Sequence, residues 1–180
     1  MQIRCALVGM PGSGKSTVGR QLAHRTGVPF IDLDHRLEQS LGTSIRSFFA
    51  TEGEARFRDL ESEMLAEVAQ QPGGMVLSTG GGAVLRPENR QVLRALGTVL
   101  YLRASPEEIF KRIRHDRSRP LLQVPNPLER LRELLAQRDG LYRETAHYVI
   151  ETGRPTVSTL VNMVMMQLEM AASGAGEPAA

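Results

Sequence analysis

Gly9-Met10-Pro11-Gly12-Ser13-Gly14-Lys15-Ser16-Thr17 satisfies the pattern G-x-x-x-x-G-K-[ST], directly after the apolar run Ile3 to Val8 and at the head of a helix-like segment. Each residue type answers a physical need. Glycines let backbone N–H groups turn inward around phosphate oxygens, the helix start adds positive partial charge, and Lys15 adds a full charge. The hydroxyl of Ser16 is then placed for a magnesium ion. A glycine-rich turn that merely opens a helix is the plainer reading, but the strand before and the helix after are what a phosphate-binding loop requires.

Working outward, strand-like and helix-like segments alternate. Ile3 to Val8 reads as a buried strand, Lys15 to Arg25 as a helix, and Val28 to Leu33 as a second strand ending in Asp32 and Asp34. His35 to Gln71 reads as helix in several pieces broken near Gly42 and Gly53. Met75 to Thr79 is a third strand running into Gly80-Gly81-Gly82. A helix over Pro87 to Leu96 and a strand over Thr98 to Leu102 follow. Ser105 caps the next helix, with Pro106 at its first position, and that helix runs to about His115. Asn126 to Tyr142 is a long amphipathic helix, His147 to Ile150 a fifth strand, and Thr156 to Met170 a last helix. The small, polar tail 171–180 is expected to be disordered.

This alternation predicts an α/β fold with right-handed crossovers and a parallel sheet covered on both faces. Ligands in such sheets bind at the carboxyl ends of the strands. The phosphate loop, the Asp32/Asp34 pair and the glycine triplet each follow a strand, so they converge on one rim. The aspartates share a face if the extended backbone persists through Leu33. One carboxylate near a magnesium ion and one near an accepting hydroxyl would serve phosphoryl transfer, whereas an Asx turn capping the next helix is the structural alternative. The triplet offers close backbone approach to a polar ligand, or is simply a flexible turn. By pattern alone Arg58 is a solvated helix residue paired with Glu61, and Arg138 is equally unremarkable. Arg112, Arg114, Arg117 and Arg119 form either a solvated surface or a lid whose arginines reach a transferred phosphate.

Composition narrows the classes. The 180 residues carry 22 basic and 20 acidic side chains, a net charge of +2 that leaves no footprint for nonspecific binding to nucleic acid or membranes. The length fits a single domain. Cys5 is the sole cysteine, so no internal disulfide forms, and no run is long enough to cross a bilayer. A cytoplasmic protein is expected. His24, His35, His115 and His147 lack metal-ligand spacing.

Taken together, the phosphate loop, Asp32-Leu33-Asp34, Phe48-Phe49-Ala50-Thr51-Glu52-Gly53-Glu54 leading to Phe57-Arg58, Thr79-Gly80-Gly81-Gly82 and Arg119-Pro120-Leu121-Leu122 closely resemble shikimate kinase across residues 3 to 168. The resemblance implies a three-layer P-loop kinase fold of the nucleoside-monophosphate-kinase type. It has a five-stranded parallel sheet, a helical substrate-binding region at about 33–61 and a lid at about 112–125, all within a single domain over 1–170. It implies transfer of the γ-phosphoryl of ATP to the 3-hydroxyl of shikimate in aromatic amino-acid biosynthesis, with Mg²⁺ required and a monomer expected.

By the same resemblance Gly12, Ser13, Gly14, Lys15, Ser16 and Thr17 hold the nucleotide phosphates, with Lys15 on the β/γ-phosphates. Ser16 binds the metal, and Asp32 supports it through water. Asp34 holds the substrate hydroxyls and directs the proton of the attacking oxygen. Arg58 and Arg138 grip the substrate carboxylate, Gly80, Gly81 and Gly82 hold ring substituents, and Phe49, Phe57 and Glu61 shape the pocket. Arg119 reaches the γ-phosphate, while Arg112 and Arg154 lie along the adenine. The rivals are a gluconate or nucleoside-monophosphate kinase on the same scaffold, a nucleotide-binding regulatory module without an acceptor, and an arginine-mediated nucleic-acid binder.

Overall fold

Residues 2–116 and 122–174 are described by the structure, a computed structural model. Five strands, β1 (Arg4–Val8), β2 (Phe30–Asp32), β3 (Met75–Ser78), β4 (Thr98–Arg103) and β5 (Tyr148–Glu151), form one sheet in the order β2-β3-β1-β4-β5. All pairings are parallel, with Ala6 opposite Leu77 on one side and Val99 on the other. The central strands are apolar along their whole length because both faces are covered.

Side chains alternate between those faces with the strand period of two. Ala6, Val8, Met75, Leu77, Val99 and Tyr101 join one core; Cys5, Leu7, Val76, Leu100 and Leu102 join the other. The second core is closed by α1 (Lys15–Thr26) and by α8 (Val157–Gly174), through Val18, Leu22, Leu160, Val161 and Val164. The first core is closed by α2 (Leu33–Leu41), α4 (Glu54–Ala69), α5 (Pro87–Leu96), α6 (Pro106–Ile113) and α7 (Pro127–Thr145), with α3 (Ile45–Glu52) packed alongside. Among the described residues no helix is long and apolar enough to cross a membrane.

Element boundaries follow local chemistry. Ser105 Oγ accepts from Glu108 N–H at 3.1 Å while the Glu108 carboxylate accepts from Ser105 N–H at 2.9 Å, a reciprocal cap that starts α6 where the sequence places it. The second strand is shorter than expected, because Asp32 Oδ1 accepts from His35 N–H at 3.2 Å and turns the chain into helix at Leu33. Asp34 therefore sits in the first turn of α2, and the two aspartates do not share the face of an extended strand. The last helix runs to Gly174, past the expected end at Met170, so 171–174 are helical and the rest of the tail lies outside the described residues.

At the opposite edge of the sheet from the strand carboxyl ends, Arg4 donates to the carbonyls of Leu96, Gln71, Gly73 and Ala69 at 2.9, 2.8, 2.7 and 2.5 Å. One guanidinium thus satisfies the C-terminal carbonyls of α4 and α5 and meets the negative ends of both helix dipoles. Arg4→Met is expected to lower stability by about 2 kcal/mol, or Tm by about 4–8 °C for a chain of this size. Differential scanning calorimetry checks this. Catalytic constants should not move, since the clamp lies at the far end of the strands.

Candidate active site

The rim formed by the strand ends holds a cleft of about 400 Å³. One wall is Pro11, Gly12, Gly14, Lys15, Ser16 and Thr17; the other includes Asp32, Asp34, Thr79, Gly80 and Gly81, with Arg112 and Ile113 above. Gly12 and Gly14 have φ of +79° and +98°, left-handed values that a side chain resists and that the loop needs to wrap inward. Gly14 is the N-cap of α1 and makes no side-chain cap, so the first-turn N–H groups of α1 face the cleft as a positive helix end.

Lys15 is 7% exposed, and its Nζ donates to the carbonyls of Gly9 and Met10 at 2.8 Å each. A full positive charge is thereby held at the loop. Ser13 is buried and its Oγ has no partner among the described residues, a polar atom left for a ligand oxygen. Ser16 Oγ donates to Asp32 Oδ2 at 3.0 Å. Asp32 therefore caps α2 with one oxygen, as the Asx alternative expects, and meets Ser16 with the other. A hydroxyl and a carboxylate form an all-oxygen donor pair of the kind a hard divalent cation takes alongside phosphate.

The glycine triplet is a point of contact among all the other parts. A Cβ on Gly80 would lie 2.6 Å from Asp34 Oδ1, one on Gly81 would lie 2.6 Å from Pro11 Cδ, and one on Gly82 would collide with the Arg58 guanidinium. Three successive residues thus admit a carboxylate, the phosphate loop and a cation at distances where a Cβ would force Asp34, Pro11 or Arg58 to shift. The flexible-turn reading is set aside: this is close packing.

Burial, and then the charge of Glu61, raise the Asp34 pKa from 3.8 to about 6; Lys15 opposes this, while Asp32 and Glu38 add to it. Glu61 is fully buried. Its Oε1 accepts from Arg58 at 2.9 Å and its Oε2 has no partner among the described residues. Burial pushes the Glu61 carboxyl above its ordinary range even though Arg58, Arg138 and Arg86 all pull it down. Arg58 also pairs with Glu54 at 3.2 Å and lies 5.8 Å from the ring centroid of Phe49 and 5.3 Å from that of Phe57. Its side chain is 12% exposed, so the i, i+3 pair expected with Glu61 exists but is not solvated.

Arg138, on α7, shares the Glu61 environment with Arg58 and, one helical turn before Tyr142, lowers the pKa of that hydroxyl against burial. Asp34, Arg58, Glu61, Arg138, Phe49 and Phe57 are therefore brought around the glycine triplet from α2, α3, α4 and α7. Sequence pattern offered no reason to single out Tyr142, which is buried in this group. An aromatic one helical turn after a candidate arginine was the available signal.

Arg112 donates to Thr152 O at 2.8 Å and to Ser13 O at 3.2 Å. With Ser13, Gly14, Thr17, Val18, Pro155, Thr156, Val157 and Leu160 it lines a second recess of about 340 Å³ behind the phosphate loop. Arg154 is exposed, and it is its neighbour Pro155 that lines this recess. Arg119 lies outside the described residues, as does Arg117. Arg46 of α3 donates to the Gln123 side chain at 2.7 Å.

The geometry is matched by comparison with known proteins. A family model described as shikimate kinase matches residues 11–169. A shikimate kinase of Paracidovorax citrulli is 60% identical, over 94% of this chain and 94% of that protein. One from Ralstonia nicotianae is 57% identical over 91% of this chain and 86% of that protein. The solved structure of the Acinetobacter baumannii shikimate kinase in complex with shikimate superposes with a TM-score of 0.88 at 40% identity, over 94% of each chain. A phosphate loop facing a carboxylate and two arginines across a glycine turn, in a chain with such relatives, leaves one family: the chain belongs to the shikimate kinases.

Proposed function

We propose that the residues around this cleft divide the work of transferring the γ-phosphoryl of ATP to the 3-hydroxyl of shikimate as follows. Gly12, Ser13, Gly14 and Thr17 hold the phosphates through backbone and hydroxyl groups, and Lys15 stabilises charge on the β/γ oxygens. Ser16, with Asp32 through water, holds Mg²⁺, which when bound neutralises phosphate charge. Arg58 and Arg138 receive the substrate carboxylate with planar guanidinium forks, for which arginine is better matched than lysine. Phe49, Phe57 and Glu61 fix the Arg58 side of that pocket, and Gly80, Gly81 and Gly82 let the ring approach the backbone.

Asp34 takes up the hydroxyl and directs its proton. A carboxyl pKa of about 6 keeps the group ionised at neutral pH yet makes it a stronger base than an exposed aspartate. Arg119, which lies outside the described residues, is assigned to the γ-phosphate, and Arg112, with Pro155 in place of its neighbour Arg154, borders the adenine. Most of the acceleration then comes from positioning and electrostatics, as phosphoryl transfer requires.

The observation that supports this reading most is the contact of Gly80, Gly81 and Gly82 with Asp34, Pro11 and Arg58, which sets the acceptor groups directly against the phosphate loop. We take the enzyme to act as a cytoplasmic monomer without nucleic acid. The near balance of charge speaks against nucleic acid, and a sole, buried Cys5, its thiol pushed up to about 12 by burial, fits a reducing compartment. The test is ADP release against shikimate, gluconate, AMP and CMP. Release should depend on shikimate alone. Comparable turnover of gluconate or a nucleotide would replace the acceptor assignment, and nucleotide binding without any acceptor-dependent release would make the protein a regulatory module.

A further inference from the structure

Tyr142 lies one helical turn beyond Arg138 on the same face of α7. Its hydroxyl donates to the carbonyl of Gly81 at 2.5 Å, and a phenol has one proton to give. That direction is forced, because a carbonyl can only accept. The oxygen lone pairs are consequently free to accept, and Arg138, one helical turn back on the same helix face, is a cation beside them that pulls the phenol pKa down. The ring is fixed as well: it is fully buried and packs on Tyr101 with centroids 4.9 Å apart. Tyr101 is anchored in turn, its own hydroxyl donating to Asp139 at 2.8 Å.

The charged and titratable groups facing the Tyr142 hydroxyl are Arg138 from its own helix and Arg58 from α4, both cationic. Burial outweighs them and pushes the phenol up to about 12, so the hydroxyl stays protonated and keeps its donor to Gly81 throughout the physiological range. One rigid oxygen thus sets an acceptor for a flexible arginine at the middle of the glycine turn. Gly81 in turn abuts Pro11 of the phosphate loop.

We propose that Tyr142 is a positioning residue for the acceptor: through its hydroxyl it holds the Arg138 guanidinium at a fixed distance from the Gly81 backbone, and so from the phosphate loop. This rests on the assignment of Arg138 to the substrate carboxylate. An arginine loses rotamer freedom on binding, and a side chain already held by Tyr142 has less of it left to lose. The hydroxyl therefore acts on shikimate binding, and not on ATP.

Tyr142→Phe tests this, since it keeps the ring and its packing on Tyr101 and removes only the oxygen. The variant is expected to raise the shikimate KM about 5–30-fold, with the ATP KM within twofold and kcat less affected than the shikimate KM. Calorimetric titration of the full chain with shikimate alone should show the same loss of affinity. In an Arg138→Met background, adding Tyr142→Phe should weaken shikimate binding no further, because the oxygen then has no guanidinium to hold. A shikimate KM within twofold of the parent enzyme overturns the proposal. So does an equal loss for both substrates accompanied by a lowered Tm, which would be the mark of a purely structural tyrosine. If Arg138→Met itself leaves shikimate affinity intact, the carboxylate assignment fails. If Arg138→Met weakens binding and Tyr142→Phe does not, that assignment survives and the positioning role falls.

Discussion

Asp34→Ala is expected to lower kcat about 10²–10⁴-fold, the range of a lost general base, with a smaller effect on the KM for ATP. The side chain is pressed against Gly80 and lines the same cleft as Lys15. Its pKa of about 6 gives the prediction a second readout. For the parent enzyme kcat/KM for shikimate should fall with unit slope below about pH 6, as the carboxylate is protonated. In the variant that acid limb should vanish from the residual activity. Turnover within tenfold of the parent, or an unchanged acid limb, would remove Asp34 from proton handling.

The same group carries a stability signature of unusual sign. Folded Asp34 titrates near 6, while its ordinary value is 3.8. Between those values the folded chain holds a proton that the unfolded chain has released, so stability declines as pH rises through this window. Asp34→Asn is therefore expected to raise Tm at pH 7 and to lose that advantage at low pH, where the native carboxyl is neutral too. An acid kept in a place that disfavours its charge is a cost retained for function.

Lys15→Met is expected to reduce kcat about 10²–10³-fold by removing the charge that faces the developing negative oxygens. The structure adds a coupled effect. Lys15 is the cation that holds the Asp34 pKa down against burial and the Glu61, Asp32 and Glu38 carboxylates. Without it the acid limb of the residual activity should move above pH 6. A pH–rate profile of the variant measures this directly. Loss of rate with an unmoved acid limb would mean that lysine and aspartate act independently, contrary to their shared cleft. The carbonyls of Gly9 and Met10, which now accept from Nζ, would lose this donor, so a modest fall in Tm is expected alongside.

Much of this architecture is legible in the chain because it rests on short-range chemistry. The apolar runs Ile3 to Val8 and Thr98 to Leu102 read as buried strands since both sheet faces are covered, and Ser105-Pro106 marks a helix start through its own cap. The break at Leu33 was harder to read. Val28 to Leu33 has strand composition, and only the bond from His35 N–H to Asp32 ends the strand early and turns Asp34 into a helix. A local hydrogen bond there overrode residue propensity.

The phosphate site is written almost entirely in Gly9 to Thr17, because backbone N–H groups, glycine torsions and one lysine are contiguous in sequence. The acceptor site is not. Arg58, Glu61, Arg138 and Tyr142 come from α4 and α7, and no spacing rule ties residue 58 to residue 138 or reveals a tyrosine hydroxyl bound to the Gly81 carbonyl. Family resemblance could nominate the arginines, but their meeting around a buried Glu61 is decided only when the two helices pack over one face of the sheet. What the chain alone determined is the sheet, the phosphate loop and the order of the strands' functional ends. Tertiary structure alone decided the burial that lifts Asp34 and the close approach of Asp34, Pro11 and Arg58 to Gly80, Gly81 and Gly82, because burial and close approach belong to packed neighbours and not to sequence.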